Sequence, residues 1–155
     1  GFSTVLGTAV AQAYANGSLI IASAGNDNSS TPNYPASFPD VVSVSAVAPT
    51  LNRASYSSFG TSVDIAAPGG QTSTGPSHGV LSTTWNYVTN QSNIDSWQGT
   101  SMAAPHVSGI AALILAREPQ LTAAQLSARL INFSIDIGSP GPDQLFGAGL
   151  VNARN

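Results

Sequence analysis

The sequence predicts an α/β fold, three-layer α/β/α, with a mainly parallel sheet packed between helices. Three observations predict it. A helical pattern over residues 3–16 runs straight into Leu19–Ser23, an apolar stretch that reads as a short strand buried on both faces. Two further strand-length stretches, 41–47 and 62–66, are set apart by loops of Asn, Ser, Gly and Pro. The run from Met102 to Ala116 is apolar all round, the mark of a buried helix.

Each element has a local reason. Ser3 is placed to cap the first helix, in which Val5, Ala9 and Ala13 form one i,i+4 row and Leu6, Val10 and Tyr14 the next. Asn16-Gly17 should end it, because glycine takes the left-handed C′ conformation readily. A loop follows from Gly25 to Asp40, and Pro68-Gly69-Gly70 closes the third strand. Residues 70–98 are irregular by pattern, with 80–85 and 94–97 expected to pair as a hairpin. The small residues Ala103, Ala104, Ser108, Gly109, Ala111 and Ala112 let other backbone come close to the apolar helix. Thr122-Ala123-Ala124-Gln125 is a capping-box pattern opening a last helix that reaches about Asn132.

Composition narrows the function. Only 7% of the 155 residues are charged, none is lysine, and the net charge is −3. Nucleic-acid binding therefore has no electrostatic basis, and no basic amphipathic helix points to a membrane surface. With no cysteine, disulfides, thiolate chemistry and zinc ribbons are excluded. No apolar stretch is long enough to span a bilayer, and no signal-peptide pattern is present. The Ser/Asn-rich, lysine-free surface predicts an exported, extracellular protein. The four N-x-S/T sequons, at Asn16, Asn28, Asn90 and Asn132, are expected by chance in such a composition.

The stretch "SWQGTSMAAPHVSG" puts Ser101 at the start of the apolar helix. There it can cap the helix, or it can be a nucleophile beside free N–H groups and the positive end of the dipole. "SAGND" ends the first strand, and parallel sheets gather active sites at strand C-termini. Asn26 is thus placed to aim an amide where Ser101 reaches, a pairing suited to acyl transfer. Taken alone, Asn26 is equally an ordinary turn residue.

The longer strings decide. "GTSMAAPHVSGIAALIL" resembles the nucleophile motif of the subtilisin-like serine proteases, and "IIASAGNDN" their oxyanion-asparagine strand. "NYPASFPDVVSVSAV", "RASYSSFGTSVDIAAPGG" and "FGAGLVNA" follow in the same order, with a lean toward the proteinase K branch. The resemblance implies that Ser101 is the nucleophile, with Asn26 and the Ser101 N–H stabilising the oxyanion. It implies that Ser23, Ala24 and Gly25 line the primary specificity pocket, with Asn33 near its base and Gly99 and Thr100 completing the substrate site. Met102 is implied as an oxidation-prone neighbour. A structural calcium ion is implied on the Pro39 and Val41 carbonyls and the Asp64 carboxylate; hard oxygen ligands suit it.

The triad is incomplete. The family order is Asp, His, Ser, and neither its D-[ST]-G block nor its H-G-T-H block occurs. His106 lies five residues beyond Ser101, about 140° around a helix and about 7.5 Å along it, so it is no base for that serine. His78, in "GPSHGV", reads as a solvated loop residue. Residues 1–155 are therefore expected to be the C-terminal portion of a catalytic domain whose Asp and His come from an N-terminal half. The expected function is a serine endopeptidase acting on a polypeptide, with uncharged P1 residues favoured because "SAGN" and Asn33 offer no charge. The alternative is a protease-derived module that binds a peptide or partner without cutting. An esterase elbow, G-x-S-x-G, is absent because Ala103 follows Ser101-Met102.

Overall fold

The computed structural model describes residues 1–154, which form a small parallel sheet between helices and a separate hairpin. Helix α1 spans Thr4–Ala15. Ser3 caps it by accepting the Leu6 N–H at 3.3 Å. Gly17, at φ 92°, ends it: the Gly17 N–H donates to Tyr14 O and the Ser18 N–H to Ala13 O. The packed side of α1 carries Val10, which is buried, whereas Val5 of the neighbouring row is 81% exposed.

Strands β1 (Ile20–Ser23), β2 (Val41–Val47) and β3 (Ile65–Pro68) pair in parallel, in the order β1-β2-β3. The register sets Ile20 against Val41 and Val44 against Ile65. Alternation on β2 divides the molecule. Val42, Val44 and Ala46 face a core shared with helices α2 (Thr100–Arg117) and α3 (Ala123–Asn132). Val41 faces the opposite way, onto Val10 of α1 and Phe38. Helices thus lie on both faces of the sheet, the predicted three layers.

Several boundaries differ from expectation. The third strand begins at Ile65, not Ser62, because a turn from Gly60 to Val63 and the bonds of Asp64 to Ser43 occupy the lead-in. The hairpin is longer and antiparallel, β4 (Val80–Asn86) with β5 (Gln91–Trp97). Strand β1 is only half-buried, since it has one partner strand and an open edge among the described residues. Helix α2 starts two residues earlier than expected and is not covered all round. Ala103 and Val107 on its inner side have no exposure, while Leu113 is 61% exposed. The capping box of α3 forms as read: the Gln125 N–H donates to Thr122 Oγ1 at 3.3 Å, and the Thr122 N–H to Gln125 Oε1 at 2.9 Å.

Candidate active site

The C-terminal end of β1 and the N-terminus of α2 meet at one point. Pairing continues one residue past β1, where the Ala24 N–H donates to Val44 O. The chain then turns through Gly25 at φ 115°. A methyl group at Gly25 would lie 2.6 Å from Asn33 Nδ2 and 3.0 Å from Ser58 Oγ, so only glycine fits this turn. Asn33 thereby lies against Gly25.

Asn26 comes next, and Thr100 fixes it. The Thr100 N–H and hydroxyl both donate to Asn26 Oδ1, each at 2.9 Å. An N–H can only donate, so the facing atom is the amide oxygen and Nδ2 is left free to donate elsewhere. Thr100 Oγ1 in turn accepts the Gly25 N–H at 3.3 Å. Thr100 was expected among the substrate-binding residues, but its side chain has no exposure and its hydroxyl is taken up by Gly25 and Asn26. It holds the site together from beneath.

Ser101 is exposed at the second position of α2 and is not its cap. The cap is Gly99, at φ 150°, which uses no side chain. The first-turn N–H groups of a helix lack internal partners. Those of Met102 and Ala103 turn back to Gly99 O and that of Thr100 goes to Asn26, whereas the Ser101 N–H meets no acceptor among the described residues. A methyl group at Gly99 would sit 3.6 Å from Ser101 N, 3.8 Å from Asn26 Nδ2 and 3.4 Å from Met102 Sδ. Two donors therefore border one small space beside the serine, kept open by the missing side chain of Gly99. This arrangement suits an oxyanion at a positive helix end.

Neither histidine hydrogen-bonds to Ser101 among the described residues. His106 Nδ1 lies 2.8 Å from Met102 O, one turn back on its own helix. His78 Nδ1 lies 2.9 Å from Thr74 Oγ1 in an exposed turn. An open cleft of about 330 Å³ adjoins the serine, lined by Ser101, Met102, Pro105 and His106 of α2 and by Val80–Ser82 of β4.

Two residues were missed by sequence reasoning. Ser58 accepts the Asp27 N–H at 3.3 Å and is nearly fully buried. Tyr56 reaches Gly99, whose N–H donates to its phenol oxygen at 2.9 Å. Burial pushes the Tyr56 pKa up to about 12. The one available signal was a lone large aromatic in the otherwise small run "RASYSS".

Asp64 and the Val41 carbonyl are oxygen donors of the kind a hard cation takes. Ser43 O accepts the Asp64 N–H, so that edge of β2 faces β3. By strand alternation the Val41 carbonyl is the next polar group on the same edge. Asp64 Oδ2 accepts the Ser43 N–H at 2.7 Å, which sets the carboxylate beside that carbonyl. Among the described residues neither Asp64 Oδ1 nor the Pro39 carbonyl accepts a hydrogen bond from the protein. Burial raises the Asp64 pKa, and the Ser43 N–H only partly counteracts it. An incompletely satisfied carboxylate beside a carbonyl fits a cation with oxygen ligands.

The Subtilase family model matches residues 2–149, and the chain belongs to that family of serine proteases. It is 41% identical to Subtilisin DY of Bacillus licheniformis, over 98% of this chain and 51% of that protein. It is 36% identical to Alkaline elastase YaB of Bacillus sp. strain YaB, over 98% of this chain and 36% of that one. Among solved structures, a protease of Pseudoalteromonas arctica PAMC 21717 superposes with a TM-score of 0.90 at 36% identity, covering 99% of this chain and 46% of the other. A lanthipeptide protease superposes at 0.84 with 28% identity, covering 96% and 52%. The chain thus spans about half, or less, of the length of these relatives.

Proposed function

We propose that this chain is the nucleophile-bearing part of a serine endopeptidase, in which Ser101 attacks a peptide carbonyl. Asn26 Nδ2 and the Ser101 N–H receive the oxyanion. The carrying observation is the space over Gly99 bordered by both donors. A serine hydroxyl needs a base, and no histidine here serves. The Asp and His would come from an N-terminal half outside this sequence. The cleft beside Ser101, Met102 and Pro105 has room for the incoming imidazole. In this reading Ser23, Ala24, Gly25 and Asn33 border the P1 pocket, next to the exposed Asp27. Uncharged P1 residues are favoured, and a peptide-library cleavage profile dominated by Lys or Arg would reject that preference.

Calcium is the proposed structural ion, held by the Pro39 and Val41 carbonyls and Asp64, where it would offset the charge of the buried carboxylate. An extracellular location is supported by the Ser/Asn-rich, lysine-free composition. No helix among the described residues is long and apolar enough to cross a membrane.

The test is fluorophosphonate labelling of Ser101, in the isolated chain and with the N-terminal half present. Labelling only in the complex supports the proposal. Rapid labelling of the isolated monomer overturns the need for an external base. A non-catalytic, peptide-binding module is the second reading, favoured by the engagement of both histidines away from Ser101. It predicts no labelling in either sample.

A further inference from the structure

We infer that Tyr56 is a positioning residue for the oxyanion donors, its phenol holding the nucleophile turn at Gly99 while the segment it begins holds the Asn26 loop. The inference rests on the roles given above to Ser101 and Asn26.

The two donors come from elements far apart in sequence, and their spacing must be held to a fraction of an ångström for them to share one oxygen. Thr100 joins them directly. The segment Tyr56–Ser58 joins them a second time. On the Asn26 side, the Ser58 N–H donates to Gly25 O at 2.9 Å and the Asn28 N–H to Tyr56 O at 2.9 Å. The Asp27 N–H donates to Ser58 Oγ at 3.3 Å. Residues 25, 27 and 28 are all tied to this one segment, so the residue between them is carried with it.

On the serine side, the Gly99 N–H is shared between the Tyr56 phenol oxygen and Gly69 O, each at 2.9 Å. The phenol oxygen lies 2.8 Å from Gly69 O and 2.7 Å from Gly70 O, so its single hydrogen holds the turn after β3 as well. The segment is itself braced. Arg53 donates to Asn28 Oδ1 at 2.8 Å and to the carbonyl of Ser57, and its guanidinium stands 4.8 Å from the Phe59 ring centroid.

Tyr56→Phe removes the hydroxyl and keeps the ring. In the full protein that contains this chain, it should lower kcat about tenfold and leave KM within twofold. Affinity for a peptide aldehyde, which places an oxygen between the two donors on addition of the serine, should fall by the same factor. Affinity for the unreactive product peptide should not change. In an Asn26→Ala background one donor is already gone, so Tyr56→Phe should lower kcat further by less than twofold. An unchanged kcat in an active protein overturns this inference alone, as does a repeated tenfold loss in the Asn26→Ala background. A full protein that hydrolyses no peptide overturns the hydrolase reading and this inference with it.

Discussion

Strands β1 and β2 lie side by side and are built from similar residues, yet their surroundings differ. All seven residues of β2 are buried, whereas all four of β1 are only half-buried. Propensity does not explain this, because Ile20-Ile21-Ala22 is at least as apolar as Val41-Val42-Ser43. Neighbours do: β2 has a strand on each side and β1 has one. The same contrast divides α2, whose inner residues Ala103 and Val107 meet the sheet while Leu113 faces out. The two uncovered surfaces adjoin one cleft of about 500 Å³, bordered by Leu19 and Ile21 on one side and Ser108, Ala111, Ala112 and Leu115 on the other. A methyl group at Gly109 would meet nothing. A half-buried edge strand and the exposed small residues Ser108, Gly109 and Ala112 support the proposal that a further part of the domain packs here. The contrast teaches that strand burial is a property of the sheet, not of the strand.

The largest expected effect breaks the contrast outright. Supplying the N-terminal half should cover β1 and bring a base to Ser101. Turnover should then rise on the order of 10⁶-fold over the isolated chain. Active-site titration of the reconstituted pair, against the isolated chain at equal concentration, checks it. Next come the donors. Asn26→Ala or Gly99→Ala should each lower kcat in the complete enzyme by about 100- to 1,000-fold. Asn26→Ala should also lower the melting temperature, because it strands the buried Thr100 N–H and hydroxyl, and Gly99→Ala carries added strain at φ 150°. Activity retained in both variants would place the oxyanion elsewhere.

A smaller effect tests the strands themselves. Val44→Ala should cost about 2 kcal/mol whether or not the partner half is present, because Val44 has no exposure. Ile21→Ala should cost about 1 kcal/mol in the isolated chain and about 3 kcal/mol in the complex, where Ile21 becomes interior. Urea unfolding of the four samples measures both. Equal costs for Ile21→Ala in the two states would mean that nothing packs against β1.

Much of this was legible in the sequence, and the reasons are local. Ser3, Gly17 and the Thr122/Gln125 box carry their own hydrogen-bonding instructions, so α1 and α3 end where their residues say. That Ser101 and Asn26 meet was legible because each lies at an element end. The role of Thr100 was not, since its bond to Asn26 spans 74 residues and exists only after folding. Tyr56 was hidden for the same reason: its partners Gly69 and Gly99 have no side chains to advertise a contact. The exposure of α2 was misjudged because an all-apolar helix shows that it must be covered, not by which part of the molecule.

Asp64 offers the smallest effect and a test of the sheet's other edge. Its carboxyl is partly buried against β2, and burial raises its pKa in the fold above the ordinary 3.8. The folded state therefore holds the proton more tightly than the unfolded chain. Between the ordinary value and the raised one, stability should increase as pH falls, and the cost of burying the charge is fully present above that window. Asp64→Asn has no such titration, so the stability difference between the variant and the wild type should change with pH inside the window and level off outside it. Calcium acts on the same group from the opposite direction, since it favours the ionised form. At tenfold over its dissociation constant it should add about 1.4 kcal/mol, roughly 3–5 °C in melting temperature for a chain of this size. That gain should be absent from Asp64→Asn and should shrink in the wild type as pH falls through the window. Thermal melts of the two proteins, with calcium and with a chelator, at neutral pH and near pH 4, separate these effects. An identical calcium response in Asp64→Asn would remove Asp64 from the ion's ligands and leave only the proton linkage.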